Sequence, residues 1–420
     1  MTDTRHLLIE IGTEELPPKA LRRLAEVFAT GVEKGFENAS LKFSSIKAWA
    51  APRRLALLIR DLPVAQEDRE NMRRGPALSA AFDSEGCPTP AATGFARSCG
   101  VEVEQLEQLQ TEKGSWLSWR ALEKGQTTAS LIPDVVTTAL AALPIPKRMR
   151  WGDRDEEFVR PVHWVVLLFG DQTIDASILG VRADRYTRGH RFHHPQKIYL
   201  AEPQAYLPLL ETEGYVLADF DNRREAIRAQ VIEQARTLGG QAVIDDELLD
   251  EVTALVEWPV ALSGHFDEEF LQLPSEALIS SMQDHQKYFP VVDSDGRLLP
   301  HFITVANIVS KDPEQICTGN ERVIRPRLAD AGFFWNQDRK QPLHQREAAL
   351  HKMVFQEKLG TLYDKQERVA ELSATIAEKI GAEPRQAKRA AMLCKCDLVT
   401  SMVYELSLIH ISEPTRQPAT

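Results

Sequence analysis

The apolar pattern of the chain changes near residue 315, and this change constrains the fold more than any other feature. Before it, short apolar runs typical of β-strands alternate with amphipathic helices; after it, only helical periodicity continues. The pattern predicts an α+β, multidomain protein in which a mixed α/β N-terminal body is followed by an all-helical domain. The length of 420 residues allows more than one hydrophobic core.

Most elements of the body can be placed from the sequence. Strands are predicted at residues 7–11, 46–49, 55–59, 116–121, 162–169, 174–181, 255–262, 288–292 and 302–308, with a hairpin turn at 293–296. A helix after Pro17 and Pro18 has one apolar face, formed by Leu21, Leu24, Ala25, Phe28, Val32 and Phe36. Another helix is predicted at 131–143, and a third follows Asp221 with an apolar stripe of Ile227, Val231, Ile232, Ala235 and Leu238.

These elements suggest four segments. An N-terminal α/β region covers 1–125, a second α/β region covers 126–315, and a helical region covers 316–406. In the helical region, Val369, Leu372 and Ile376 share one helix, and Gly381 is its expected C-cap. Residues 407–420 carry two prolines and no continuing stripe, so we expect a non-native tail.

Composition limits the possible functions. The net charge of −11, from 50 Lys and Arg against 61 Asp and Glu, disfavours wrapping of nucleic acid, so RNA contact must come from local patches. No apolar run has the roughly 18 to 20 residues that span a bilayer, and the five cysteines form no CxxC pair. We therefore expect no membrane contact and reduced thiols.

Motifs for catalysis are missing from the sequence. A phosphate loop of the form GxxxxGK[ST], an HExxH zinc motif and a GxSxG elbow do not occur, and the isolated histidines lack metal-ligand spacing. We predict no catalytic residue and no metal site in this chain.

Basic clusters remain as candidates. Arginine forks suit phosphates, and nearby aromatic rings can stack on unpaired bases. For any one cluster, solvated faces and internal ion pairs explain the cations equally well, and only the number of clusters favours RNA. The candidate residues for contact with RNA or a partner are Arg53, Arg54, Arg148, Arg150, Arg160, Arg188, His190, Arg191, Arg322, Arg325 and Arg327.

Several unbroken segments are similar to one known family. They include EIGTEELPP at 10–18, AAPRRLA at 50–56, MRWG at 149–152, FVRPVH at 158–163, RGHRF at 188–192, LVEWP at 255–259, QKYFP at 286–290 and GNERV at 319–323. In this order they resemble the beta subunit of the bacterial-type, two-subunit glycyl-tRNA synthetases, from about residue 5 to residue 406.

The resemblance implies a cytoplasmic tetramer of two alpha and two beta subunits that attaches glycine to tRNA(Gly). In that family the alpha subunit carries the glycine and ATP site, while the beta subunit supplies most of the tRNA binding. We therefore expect no cofactor on this chain, although the holoenzyme uses ATP and Mg²⁺. The resemblance also implies that the helical region begins an HD-like domain, truncated here, and that a C-terminal anticodon-binding domain is lacking.

Two other readings stay open. One is an HD-type, metal-dependent phosphohydrolase, suggested by the helical last third, although the HD dipeptide is missing and Asp284-His285 has the reverse order. The other is a protein-interaction module without RNA binding, in which the arginines form internal ion pairs.

Overall fold

The computed structural model describes residues 3–83, 86–111 and 114–406. The chain folds as two compact units, Met1–Gly214 and Tyr215–Thr420. The expected tail at 407–420 lies outside the described residues. No helix among the described residues is long and apolar enough to cross a membrane.

The first unit is rich in strands. Its strands are β1 (Thr4–Thr13), β2 (Ser45–Ala51), β3 (Arg54–Pro63), β4 (Arg69–Ala77), β5 (Glu107–Thr111), β6 (Gly114–Glu123), β7 (Met149–Arg150), β8 (Glu157–Phe158), β9 (Val162–Phe169), β10 (Gln172–Thr173), β11 (Ser177–Ile178), β12 (Val181–Asp184), β13 (Tyr186–Arg188) and β14 (Lys197–Tyr199). Its helices are α1 (Pro18–Asn38), α2 (Leu78–Ala81), α3 (Pro90–Cys99), α4 (Thr128–Ala141) and α5 (Tyr206–Thr212).

A central sheet organises this unit. Its order is β11-β12-β9-β1-β3-β2, with β10 paired to β9. Strand β1 lies between β3 and β9 and pairs antiparallel with both, whereas β12 and β9 are parallel. Because β1 and β9 are interior strands with apolar side chains on both faces, their sequences read as continuous apolar runs. The sheet thus joins strands from both sides of residue 125.

Helix α1 packs closely against α4. The six residues predicted for its apolar face are the ones that are buried, which confirms the helical pattern. A Cβ at Gly31 would lie 2.9 Å from the Cβ of Ala139, and a Cβ at Gly35 would lie 2.6 Å from Cγ1 of Val135. Since these glycines are four residues apart, they lie on one helix face and let the two backbones approach.

Three smaller sheets complete the unit. Strands β4, β6 and β5 form an antiparallel sheet in the order β4-β6-β5, and β7 pairs with β8. Strands β13 and β14 form a separate hairpin, with Tyr186 opposite Tyr199 and Arg188 opposite Lys197.

The second unit combines a four-stranded sheet with helices. Its strands are β15 (Gln241–Ala242), β16 (Val260–His265), β17 (Phe289–Val292), β18 (Leu298–Ala306), β19 (Val354–Gln356) and β20 (Gly360–Thr361). Its helices are α6 (Phe220–Thr237), α7 (Asp246–Thr253), α8 (Ser275–Ser280), α9 (Pro313–Asp338), α10 (Leu362–Lys379), α11 (Pro384–Leu393) and α12 (Ser401–Leu406). The sheet is antiparallel, in the order β15-β17-β18-β16.

The structure confirms the mixed α+β class and corrects several details. The run at 174–181 forms only β11 and the start of β12, and residues 255–259 precede β16 instead of belonging to it. Helix α6 is capped by the Asp219 side chain, and Ile232 on this helix is exposed. The region after residue 315 contains the β19–β20 pair, so it is not purely helical. The pattern suggested that Val369, Leu372 and Ile376 form a packed stripe on α10, but their side chains are exposed.

Candidate functional site

A buried polar network lies beneath one end of the central sheet. Glu10 in β1 and Arg54 at the start of β3 are both fully buried, and the Nη1 of Arg54 lies 3.1 Å from Oε1 of Glu10. The same carboxylate oxygen accepts hydrogen bonds from Oγ1 of Thr187 and from the phenol of Tyr206, each at 2.9 Å. A charge can remain buried at this depth because it is paired and hydrogen-bonded.

Tyr206 acts as a donor in this network. Burial, together with the neighbouring Glu10 carboxylate, raises the pKa of Tyr206 well above its ordinary value. The phenol is therefore protonated at neutral pH and donates to Glu10. Its ring also stacks on Trp49, with 5.6 Å between the ring centroids.

The indole of Trp164 lies above this network and gathers three guanidinium groups. Arg53, Arg54 and Arg188 lie 5.5, 5.4 and 5.8 Å from its ring centroid. Trp164 is the cross-strand partner of Gly12, and a Cβ at Gly12 would lie 1.9 Å from the indole. Only glycine leaves room for this ring, which then serves as a floor for cations.

A second, more exposed cluster adjoins these residues. Glu14 accepts a hydrogen bond from Nη2 of Arg191 at 2.7 Å and lies 3.0 Å from Nε2 of His163. Arg191 also lies 3.3 Å from Glu15. Burial alone would raise the pKa of Glu14, but Arg191 and His163 together hold this pKa below its ordinary value. Glu14 is therefore ionised at neutral pH and neutralises part of the cationic surface.

The structure brings together six of the candidate residues. Arg160 donates to the backbone carbonyl of Glu15, which places it beside the Glu14 cluster. Arg54 and His190 are buried, so neither side chain forms the exposed surface. Arg54 supports it through the pair with Glu10, and Nδ1 of His190 accepts hydrogen bonds from the backbone N–H groups of Phe192 and His193, next to Arg191 in the chain. The six gathered residues are Arg53, Arg54, Arg160, Arg188, His190 and Arg191.

The other candidates lie elsewhere. Arg148 donates to the carbonyl of Ala141 at the end of α4, and Arg150 pairs with Glu157 at 2.8 Å. In the second unit, Arg322, Arg325 and Arg327 are exposed on α9. Arg325 lies 3.3 Å from Asp267, while Arg322 and Arg327 have no carboxylate partner among the described residues.

Sequence reasoning missed Glu10, Glu14, His163 and Tyr206. A glutamate inside the apolar run of β1 is the one signal that could have indicated a buried pair, because a charge at such a position needs a partner. The partner could not be read from the sequence, since Tyr206 is 196 residues away. Within the described ranges, no group of three or more His, Cys, Asp and Glu side chains could hold a metal ion.

Four of the segments singled out in the sequence therefore meet at this site. They are 10–18, 50–56, 158–163 and 188–192, and they contribute Glu10 and Glu14, Arg53 and Arg54, Arg160 and His163, and Arg188 and Arg191. Chemically, the site offers guanidinium forks on a rigid base, which suits an anionic ligand such as phosphate.

Comparison with known proteins identifies the class. A family model described as glycyl-tRNA synthetase beta subunit matches residues 7–410, which places the chain among subunits of aminoacyl-tRNA synthetases. The glycine–tRNA ligase beta subunit of Marinobacter nauticus is 56% identical over 405 residues, covering 96% of this chain and 58% of that protein. The corresponding protein of Hahella chejuensis is 56% identical over 398 residues, and that of a Klebsiella pneumoniae strain is 53% identical over 400 residues. These alignments cover 95% of this chain and 58% of each relative.

The chain belongs to the glycyl-tRNA synthetase beta subunit family. It spans about 58% of the length of the curated relatives that it matches.

Proposed function

We propose that this chain acts as the beta component of a glycine–tRNA ligase, where it binds tRNA(Gly) and assembles with a catalytic alpha subunit. The family match over residues 7–410 is the observation that carries the proposal. The relatives' names supply the reaction and imply an alpha subunit as partner. In this reading two alpha and two beta subunits form a cytoplasmic tetramer, and ATP and Mg²⁺ are used at the alpha subunit.

The site in the first unit supports a binding role. Its partly exposed cations include Arg53 and Arg188, which lie against the Trp164 ring beside the buried Glu10–Arg54 pair, and Arg160, which donates to the Glu15 carbonyl. These contacts hold the guanidinium groups in place before a ligand arrives. Preorganised guanidinium groups bind phosphate with a smaller loss of side-chain entropy than mobile ones. The proposed ligand of this surface is the phosphate backbone of tRNA.

The proposal also retains the organisation inferred from the sequence. Residues 316–406 begin an HD-like helical domain, after the α/β regions at 1–125 and 126–315. Helix α9, with Arg322, Arg325 and Arg327, opens this domain and offers a second cationic surface.

Glycine-dependent charging of tRNA(Gly) tests the proposal. The alpha subunit is assayed alone, with this chain and with a full-length beta subunit, while size-exclusion chromatography follows complex formation. We expect the chain to co-elute with the alpha subunit and the full-length beta subunit to restore charging. If neither chain binds the alpha subunit or supports charging, the assignment fails.

Variants of the site separate RNA contact from simple ion pairing. Arg188→Ala in the intact complex removes a cation that has no carboxylate partner among the described residues, so we expect weaker tRNA binding with little loss of stability. The matched control is Arg182→Ala, an exposed arginine that pairs with Asp175 at 3.2 Å. Unchanged tRNA affinity for Arg188→Ala would remove this residue from the RNA-binding surface.

A further inference from the structure

The β13–β14 hairpin presents two tyrosines on its outer face. Tyr186 and Tyr199 are cross-strand partners, and their rings meet edge to face with 5.5 Å between centroids. The exposed fractions are 37% for Tyr186 and 50% for Tyr199. Large rings with this much exposure on a polar surface are candidates for ligand contact.

Two cations lie beside these rings and a third, Arg188, is in the same strand as Tyr186; none of the three has a carboxylate partner in the described part of the chain. Lys197 lies 5.6 Å from the centroid of Tyr186, and Arg185 lies 5.0 Å from that of Tyr199. The Arg185 guanidinium donates to the backbone carbonyls of Asp171 and Ala201. Arg188 contacts Trp164 through its guanidinium. The positive charge of this face is therefore not neutralised by an internal ion pair.

The segment that contains the hairpin has a net positive charge. Residues 185–200 contain three arginines and one lysine but no aspartate or glutamate, within a chain of net charge −11. Such a segment concentrates positive potential against the acidic background of the chain. An anionic ligand is the partner that this charge fits.

The inner face of the hairpin already anchors it. Thr187 is fully buried and donates to Glu10 at 2.9 Å, and Ile198 on the opposite strand is also buried. Gly189 follows β13 at a crowded position, where a Cβ would lie 2.8 Å from the carbonyl oxygen of His194. Because buried contacts fix the hairpin from below, the outer rings are not needed to hold it in place.

We propose that the outer face of the β13–β14 hairpin is a platform for unpaired nucleotides of RNA. Tyr186 and Tyr199 stack on bases, while Lys197, Arg185 and Arg188 contact the adjacent phosphates. Alternation of aromatic and cationic side chains is the chemistry by which proteins hold single-stranded nucleic acid, because every base has a stacking face and every nucleotide a phosphate. The inference rests on the proposed function and deepens it by naming the part of the RNA that this face binds.

Fluorescence anisotropy of the full chain tests this platform. The probes are a fluorescein-labelled single-stranded RNA of twelve nucleotides and a blunt duplex of the same sequence, each titrated at several salt concentrations. For the double variant Tyr186→Leu/Tyr199→Leu, we expect the Kd for the single strand to rise about ten-fold or more, while the Kd for the duplex changes less than about two-fold because paired bases do not stack on protein rings. Tyr186→Phe/Tyr199→Phe keeps both rings and should bind as the wild type does.

Lys197→Gln tests the phosphate contact. We expect weaker binding of both probes and a salt slope that falls by about one, as for the loss of one phosphate contact. The matched control is Phe355→Leu/Lys365→Gln, which removes another exposed ring and lysine pair, 4.1 Å apart, in the second unit. The control should leave the affinity for both probes unchanged.

Several results would overturn the platform. The first is a wild-type chain that does not bind the single strand. The second is a Tyr186→Leu/Tyr199→Leu variant that binds the single strand as tightly as the wild type does, and the third is the same variant losing equal affinity for the single strand and the duplex. Far-ultraviolet circular dichroism shows whether each variant is folded, and the phenylalanine pair separates loss of stacking from loss of the hairpin. The proposed function is tested separately by the charging assay. It fails if neither this chain nor the full-length beta subunit binds the alpha subunit or supports charging.

Discussion

Removal of Arg54 should destabilise the first unit more than removal of any surface arginine. Both side chains of the Glu10–Arg54 pair have zero exposure, and the shortest distance between them is 3.1 Å. Arg54→Met leaves a buried carboxylate without its cation, and breaking one partner of a buried pair costs about 3–5 kcal/mol. Arg150→Met is the matched control, because Arg150 is 62% exposed and pairs with Glu157 on the surface. Exposed pairs contribute about 0–1 kcal/mol.

Hydrogen exchange measured by mass spectrometry suits this test. The chain has two compact units, so a single unfolding midpoint does not report on the first unit alone. Peptides that cover β1 report the opening free energy of the strand that carries Glu10. We expect the protection of these peptides to fall by the predicted amount in Arg54→Met, while peptides of the second unit keep their protection.

A double variant checks the reasoning behind this magnitude. Glu10→Gln/Arg54→Met removes the uncompensated charge, and the glutamine oxygen can still accept hydrogen bonds from Thr187 and Tyr206. It should therefore recover a large part of the stability that Arg54→Met loses. If the single variant costs less than about 1 kcal/mol, or if the double variant is less stable than the single one, the pair does not stabilise the unit in the way argued from its burial.

Three further predictions concern single positions. Gly12→Ala should destabilise the first unit by at least about 1–3 kcal/mol, measured by hydrogen exchange of peptides from the substituted element, because its Cβ would overlap the Trp164 ring; a neutral effect would contradict the close approach. Gly319→Ala should stabilise the second unit by up to about 1 kcal/mol in the same assay, since the glycine lies inside α9 with nothing within 4 Å of an added Cβ; a loss of stability would contradict that open space. Burial raises the pKa of Tyr288 to about 12, so its stabilising effect should be full below pH 10 and fade as the pH rises through about 12. Tyr288→Phe also loses the hydrogen bond to Asn320, and its stability should decline less steeply above pH 10 than that of the wild type. Parallel plots of stability against pH for the two proteins would contradict the raised pKa of Tyr288.

Local periodicity accounts for the elements that the sequence predicted well. The apolar face of α1 follows a helical repeat without interruption, so all six buried residues could be identified. The bounds predicted for β9 are confirmed because an interior strand is apolar on both faces. The hairpin turn at 293–296 is also confirmed, since Gly296 adopts a positive φ of 78° between β17 and β18.

The misses come from tertiary contacts. The stripe of Val369, Leu372 and Ile376 has a helical repeat, but α10 buries Gln366, Ala370 and Ala377 instead. Two of these residues are alanines, which allow close approach to neighbouring elements, and Gln366 is buried with its side chain donating to the carbonyl of Met392. A hydrophobicity pattern gives little weight to alanine or glutamine. The three-region division with bounds at 125 and 315 stays a prediction.

The buried network also affects how the basic residues should be interpreted. Arg53 and Arg54 are adjacent in the sequence, yet Arg54 points into the network and Arg53 is only half-buried beside Trp164. Loss of RNA binding in an Arg54 variant would therefore report movement of the tryptophan floor, whereas the same loss in an Arg188 variant would report a missing contact. The two cases separate by hydrogen exchange, because only the first lowers the protection of β1. Sequence motifs alone assign both arginines to one surface, and it is the burial of the Glu10 pair that separates their roles.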